Sequence, residues 1–135
     1  MEDTLPEISA VQTAISAEQT AEAMGNLLRD HRGEDVLVLD LREMEAWTDF
    51  FVIATAASDA HLDGLERHIK ELCREKGIEI LRRSRKPGAS AGMQGREDEW
   101  RVIDLGAAVI HLMSRRARAF YDLERLYSMA VSVGS

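Results

Sequence analysis

What this chain has little of narrows the field first. It holds one cysteine, Cys73, in 135 residues, so neither an intrachain disulfide framework nor a cysteine-based zinc site can form. The thiol follows Leu72 on the apolar side of a helical pattern, where a buried and inert sulfhydryl is expected. Basic charge is in deficit: 17 Lys and Arg against 24 Asp and Glu give a net charge of −7. Broad binding along a phosphate backbone needs a positive footprint, so that class is disfavoured. No run approaches the ~18 apolar residues of a membrane-spanning helix. The opening stretch MEDTLPEISA is acidic and has neither the basic and apolar regions of a secretory signal nor the arginines of a transit peptide, so a cytoplasmic protein is expected. Neither the dinucleotide fingerprint nor the P-loop pattern occurs, and no strand-to-helix turn follows the loop glycines Gly88, Gly92 and Gly95.

What is present reads as one domain with a real core. Hydrophobic residues make up 45% and charged residues 30%, the balance of an ordinary globular chain. Residues 1–15 show no clear period and contain Pro6, which predicts a loose tail or a short helix. Ser16 and Gln19 have the spacing of a capping box. Met24, Leu27, Leu28 and His31 follow at helical spacing, which predicts a helix over 17–32 with Gly33 as its stop. Val36–Leu41 and Phe50–Thr55 are short apolar runs that predict buried strands. Ser58 is placed to cap a helix whose stripe is Leu62, Leu65, Ile69, Leu72 and Cys73, closed by Gly77. Ile78–Leu81 predicts a third strand, and residues 82–99 a loop. Trp100–Leu105 and Ala108–Met113 predict an antiparallel hairpin turning at Gly106-Ala107. Ser114 is placed to cap a last helix over 115–130, with Phe120, Leu123 and Tyr127 facing inward. The order α-β-β-α-β-β-β-α implies an α+β fold, a five-stranded mixed sheet flanked by helices, in a domain spanning 16–130 with a tail at 131–135.

No catalytic set assembles on these elements. His61 and His68 are seven apart on one helix, about 10 Å, too far to chelate one metal, and read as solvated surface residues. Asp104 and His111 interrupt apolar runs; strand alternation turning them to a wet face is the simple explanation. Two-metal nucleotidyl transfer needs paired carboxylates around metal ions ~4 Å apart. The strands offer only single carboxylates, Asp40 and Asp104, and the adjacent Asp98 and Glu99 point to opposite faces. The basic cluster Arg82, Arg83, Arg85 and Lys86 lacks interleaved aromatics for base stacking, so a solvated loop with minor RNA contact is expected. Arg115, Arg116 and Arg118 open the last helix, where cations oppose the dipole by some tenths of a kcal/mol, roughly.

Two blocks carry a family resemblance. Thr48-Asp49-Phe50-Phe51-Val52-Ile53-Ala54-Thr55, followed by Ser58 and His61, is the first. The second is Trp100-Arg101-Val102-Ile103-Asp104-Leu105-Gly106, then Val109 to Met113, then Arg118 to Tyr127. Together they resemble the Iojap family of ribosomal silencing factors over residues 20–128, departing at Gln94, at Ala56 or Ala57, and at Ala60, Ala107 and Tyr127. The resemblance implies a nucleotidyltransferase-like fold without enzymatic activity and without cofactor or metal. It also implies docking on the large ribosomal subunit through its ribosomal protein fourteen, blocking the small subunit from joining. The partner-binding positions it implies are Trp100, Asp104, His111, Arg118, Tyr121 and Glu124. Tyr121 and Glu124, three apart, share a helix face. Trp100, beside the polar loop, is either a partly exposed contact or a plug in the core. A homodimer through the sheet face is compatible with the pattern. The alternative is a nucleotidyltransferase-like enzyme acting on a nucleotide or RNA.

Overall fold

The computed structural model describes residues 5–44, 46–86, 99–122, 125 and 131–132. Helix α1 (Leu5–Asp30) starts well before the expected residue 17. Pro6 falls in its first turn, where a missing N–H costs nothing, and Ala10, Ala14 and Ala17 are strong helix formers. Ser16 therefore lies inside the helix and is no cap. Ala21, Met24 and Leu28, all fully buried, form its inner stripe. At its end Arg32 takes the left-handed conformation (φ 68°), while Gly33 donates to the Leu28 carbonyl at 2.7 Å. A Cβ on Gly33 would sit 2.8 Å from that oxygen, so glycine is required for close approach.

The strands are β1 (Glu34–Asp40), β2 (Phe50–Ala56), β3 (Arg82–Lys86), β4 (Trp100–Asp104), β5 (Ala108–Ser114) and a two-residue β6 (Val131–Ser132). Their order is β3-β4-β5-β2-β1-β6. β2 and β5 run parallel, Phe50 opposite Ala108 through Ala56 opposite Ser114; the other pairings are antiparallel. The result is the expected five-stranded mixed sheet, with β6 adding a short rung to β1. Helix α2 (Asp59–Lys76) crosses between β2 and the later strands. Its cap is as expected: Ser58 Oγ accepts from the His61 N–H at 3.1 Å, and Gly77 closes it at φ 68°. The hairpin is also as expected, with Gly106 at φ 94° and the Leu105 N–H on the Ala108 carbonyl at 2.9 Å.

Two expectations are corrected. Ile78–Leu81 forms no strand, although the Leu81 N–H reaches the Asp104 carbonyl at 2.8 Å; the third strand is the basic run Arg82–Lys86. Ile78 and Ile80 pack against the helix-side core, and the ladder proper begins where Arg82 meets Asp104. Edge pairing uses backbone groups, so charged side chains are tolerated there and deter pairing with another copy. Helix α3 (Arg115–Tyr121) is interrupted at Asp122, in the left-handed region (φ 41°), where the expected helix runs on; Arg125 is helical again, and the rest of the expected span to residue 130 lies outside the described residues. Aspartate tolerates that conformation and caps the helix through its own N–H on the Arg118 carbonyl. Leu123, Glu124 and Tyr127 lie outside the described residues.

Consecutive residues of each strand point to opposite faces. Phe50, Val52, Ala54, Ile103, Ile110 and Leu112 meet α1 and α2. Leu39, Phe51, Ile53, Val109 and Met113 form the other face, with Ala117 of α3 packed on it. Each fully buried Leu or Ile contributes roughly 1.5–3 kcal/mol relative to exposure. Among the described residues no helix is long and apolar enough to cross a membrane.

Candidate functional site

The second face carries a run of aromatic rings. Trp47 meets the Phe51 edge at 6.2 Å, and Phe51 meets His111 at 4.5 Å. His111 lies 5.8 Å from Trp100, Trp100 4.7 Å from Tyr121, and Tyr121 4.9 Å from Phe120. The two ends are open to solvent, Trp47 by 63% and Phe120 by 65%. Between Trp47 and His111 lies a cleft of about 430 Å³, completed by Arg82, Ser84, Val102 and Asp104. Three of the six expected contact residues, Trp100, His111 and Tyr121, are thus brought together.

The Trp100 indole is half-buried, and its Nε1–H donates to His111 Nδ1 at 3.0 Å. An accepting Nδ1 makes His111 the neutral tautomer protonated at Nε2. This resolves the imidazole inside an apolar strand: it is turned to the aromatic face and bonded there, not solvated. Trp100 is both a partial plug and a partial surface. Asp104 has a local role. Its Oδ1 accepts from the Gly106 N–H at 2.8 Å, closing the hairpin turn, and Oδ2 pairs with Arg82 at 3.4 Å.

Arg118 belongs elsewhere. It is 8% exposed, and its guanidinium donates to Thr55 Oγ1 at 2.8 Å and to the Asp35 carbonyl at 2.7 Å. It ties α3 to β1 and β2, which makes it a structural tie. The expected inward residue Phe120 points out instead, because Ala117, Arg118 and Tyr121 occupy the packed side of this short helix. Beside Arg118, Arg115 donates to Glu34 at 2.8 Å; that hydrogen bond holds the Glu34 carboxyl below the usual range and raises the arginine. Glu124 lies outside the described residues.

The basic cluster is divided by strand alternation. Arg82 turns to Asp104, while Arg83 and Arg85 turn to Glu66 of α2 at 3.3 and 3.9 Å. Three residues the sequence reading missed join there. Arg101, 2% exposed, donates to Asp63 at 2.7 Å and to Glu66 at 2.9 Å. Its position between Trp100 and Val102 was the available signal, since alternation must send it to the helix side. Trp47 was missed too; it falls outside every periodic element.

The histidines of α2 are not simply solvated. His61 Nδ1 accepts from the Ala57 N–H and Nε2 donates to the His31 carbonyl, both at 2.9 Å. His68 stacks on His31 with ring centroids 3.6 Å apart. These contacts join the ends of α1 and α2. Cys73 is buried, which pushes its thiol up. Among the described residues no group of three or more His, Cys, Asp or Glu is placed to hold a metal ion. Asp40 and Asp104 stand on β1 and β4 with β5 and β2 between them, about 14 Å at ~4.8 Å per strand, far beyond the ~4 Å of a two-metal pair.

Comparison with known proteins agrees on one group. A family model described as ribosomal silencing factor during starvation matches residues 14–134. The ribosomal silencing factor of Treponema pallidum is 39% identical over 113 residues, covering 84% of this chain and 94% of that protein. The chloroplastic Iojap protein of Zea mays is 28% identical over 102 residues, covering 76% of this chain and 40% of that one. A crystal structure of a Chromobacterium violaceum protein superposes with a TM-score of 0.67 at 25% identity, covering 82% of this chain and 86% of that one.

Proposed function

This chain belongs to the ribosomal silencing factor family, and from that membership we propose that it docks on the subunit-facing surface of the large ribosomal subunit, through ribosomal protein fourteen of that subunit, and blocks joining of the small subunit by occupying space. The action is translational repression in the cytoplasm, and no bond is made or broken. The observation that carries the docking surface is the ring series from Trp47 to Phe120, buried at Phe51 and His111, half-buried at Trp100 and Tyr121, and open at both ends. Aromatic rings that combine rigid area with a polar handle dominate protein interfaces. The net charge of −7 fits a basic protein surface better than bare RNA. The basic side chains of β3 contribute at most a minor rRNA contact, since Arg83 and Arg85 already face Glu66 and Arg82 faces Asp104.

Sucrose-gradient sedimentation with purified subunits tests this reading. The protein is expected in the large-subunit fraction, with monosomes reduced and free subunits increased. Unchanged subunit and monosome peaks, with the protein left at the top of the gradient, would refute it. Trp100→Ala is expected to weaken the interaction by more than about 1 kcal/mol, whereas replacing Arg82, Arg83, Arg85 and Lys86 with Ser changes it little. The reverse pattern, with a steep loss of binding in salt, would move the contact to rRNA.

A further inference from the structure

Arg101 and Trp100 are neighbours on β4 that face opposite ways. Arg101 lies beneath α2, 2% exposed, held by Asp63 at 2.7 Å and Glu66 at 2.9 Å. Glu66, itself 6% exposed, also receives Arg83 and Arg85 of β3. One helix thus grips both strands at this end of the sheet by charge. Side chains alternate along a strand, so fixing Arg101 toward α2 fixes Trp100 toward His111 and Tyr121. A slip of one residue would turn the guanidinium away from both carboxylates and carry the indole under the helix. Breaking one partner of a buried ion pair leaves the others uncompensated, which makes such a grip specific to one register.

We infer that Asp63 and Glu66 are positioning residues for docking: by holding Arg101 from α2 they set the side and tilt of the Trp100 indole on the aromatic face. This rests on the reading that Trp100 contacts the ribosome, and its test separates the two. Glu66→Gln and Asp63→Asn are made in a Trp47→Phe background, where Trp100 is the one remaining tryptophan. Two quantities are measured: Trp100 emission with acrylamide quenching, and affinity for purified large ribosomal subunits.

Glu66→Gln is expected to move Trp100 emission to longer wavelength, increase quenching, and weaken subunit affinity about tenfold. Asp63→Asn, at a side chain 60% exposed, shifts both in the same direction by less, about threefold in affinity. Being exposed, it is decisive if Glu66→Gln does not fold. Parental emission and quenching in the folded variants overturn the proposal whatever the affinity. Shifted emission with parental affinity also overturns it, provided Trp100→Ala binds weakly in the same assay. If Trp100→Ala itself binds like the parent, the docking reading falls and takes the docking half of the proposal with it, and the spectrum alone then decides whether α2 positions the indole.

Discussion

The two faces of the sheet are built from the same alternating strands and are put to different ends. On the helix side Met24, Leu28, Leu65, Ile69 and Ile110 are at most 1% exposed, and the charged groups there close on one another, Arg101 on Asp63 and Glu66. On the aromatic side the strand residues Phe51, Ile53 and Val109 are equally buried, yet the ring series runs out to Trp47 and Phe120 in solvent. Two polar contacts on that side are local, an indole N–H on His111 and a turn N–H on Asp104. Burial on one side contributes stability. Partial burial on the other leaves rigid area available for contact.

Truncation is the sharpest way to break this contrast. Leu65→Ala, on the helix side, is expected to cost about 3 kcal/mol of unfolding free energy with the cavity it leaves; chemical denaturation measures it, and a loss below about 1 kcal/mol would mean the two faces do not differ as described. Next comes Arg118→Ala. The lost bonds to Thr55 and the Asp35 carbonyl should lower stability by about 2 kcal/mol, seen in the same denaturation curves. A variant as stable as the parent, but defective on ribosomes, would return Arg118 to the contact surface.

Trp47→Ala and Phe120→Ala sharpen the contrast from the other side. Both should leave stability within about 0.5 kcal/mol and weaken large-subunit binding by about 1 kcal/mol. Equal losses in stability and binding would show that the rings act as core. The smallest effect concerns acid. Hydrogen bonds from Arg42 hold the Asp40 carboxyl below its usual range. A carboxyl depressed on folding stabilises above its unfolded value of about 3.9 and loses that contribution as pH falls through the lower folded value. The melting-temperature gap between the parent and Asp40→Asn should therefore be present at pH 7 and close as pH falls below about 4. A gap independent of pH would remove the ion pair from the account.

Most local signals were readable in the residues, the capping box at Ser16 excepted, and non-local ones were not. Ser58, Gly77, Ser114 and the Gly106 turn act within a few positions of themselves, and each does what its neighbours predict. The third strand misled because Ile78 and Ile80 alternate like a strand while the ladder partner, β4, begins pairing only at Arg82. The phase of α3 misled because seven residues carry too little periodicity to orient them; contact with Thr55 and Asp35 decides, turning Arg118 in and Phe120 out. His31, His61 and His68 meet across two helices, a pairing no spacing reveals. Of the candidate site, the family words led to Trp100, His111 and Tyr121. Trp47 and Arg101 emerged from the tertiary arrangement alone.

The parallel joint between β2 and β5 has a consequence for how the chain is made. β2 is buried at all seven positions, and one of its two ladders is supplied by Ala108–Ser114, emerging long after Phe50 has left the ribosome. Until then a nascent chain holds β2 with a bare hydrogen-bonding edge and an unfinished core. Such long-range pairing slows folding and prolongs exposure to wrong partners. Completion must await β5, so the sheet cannot close until α2, β3 and β4 have all been made.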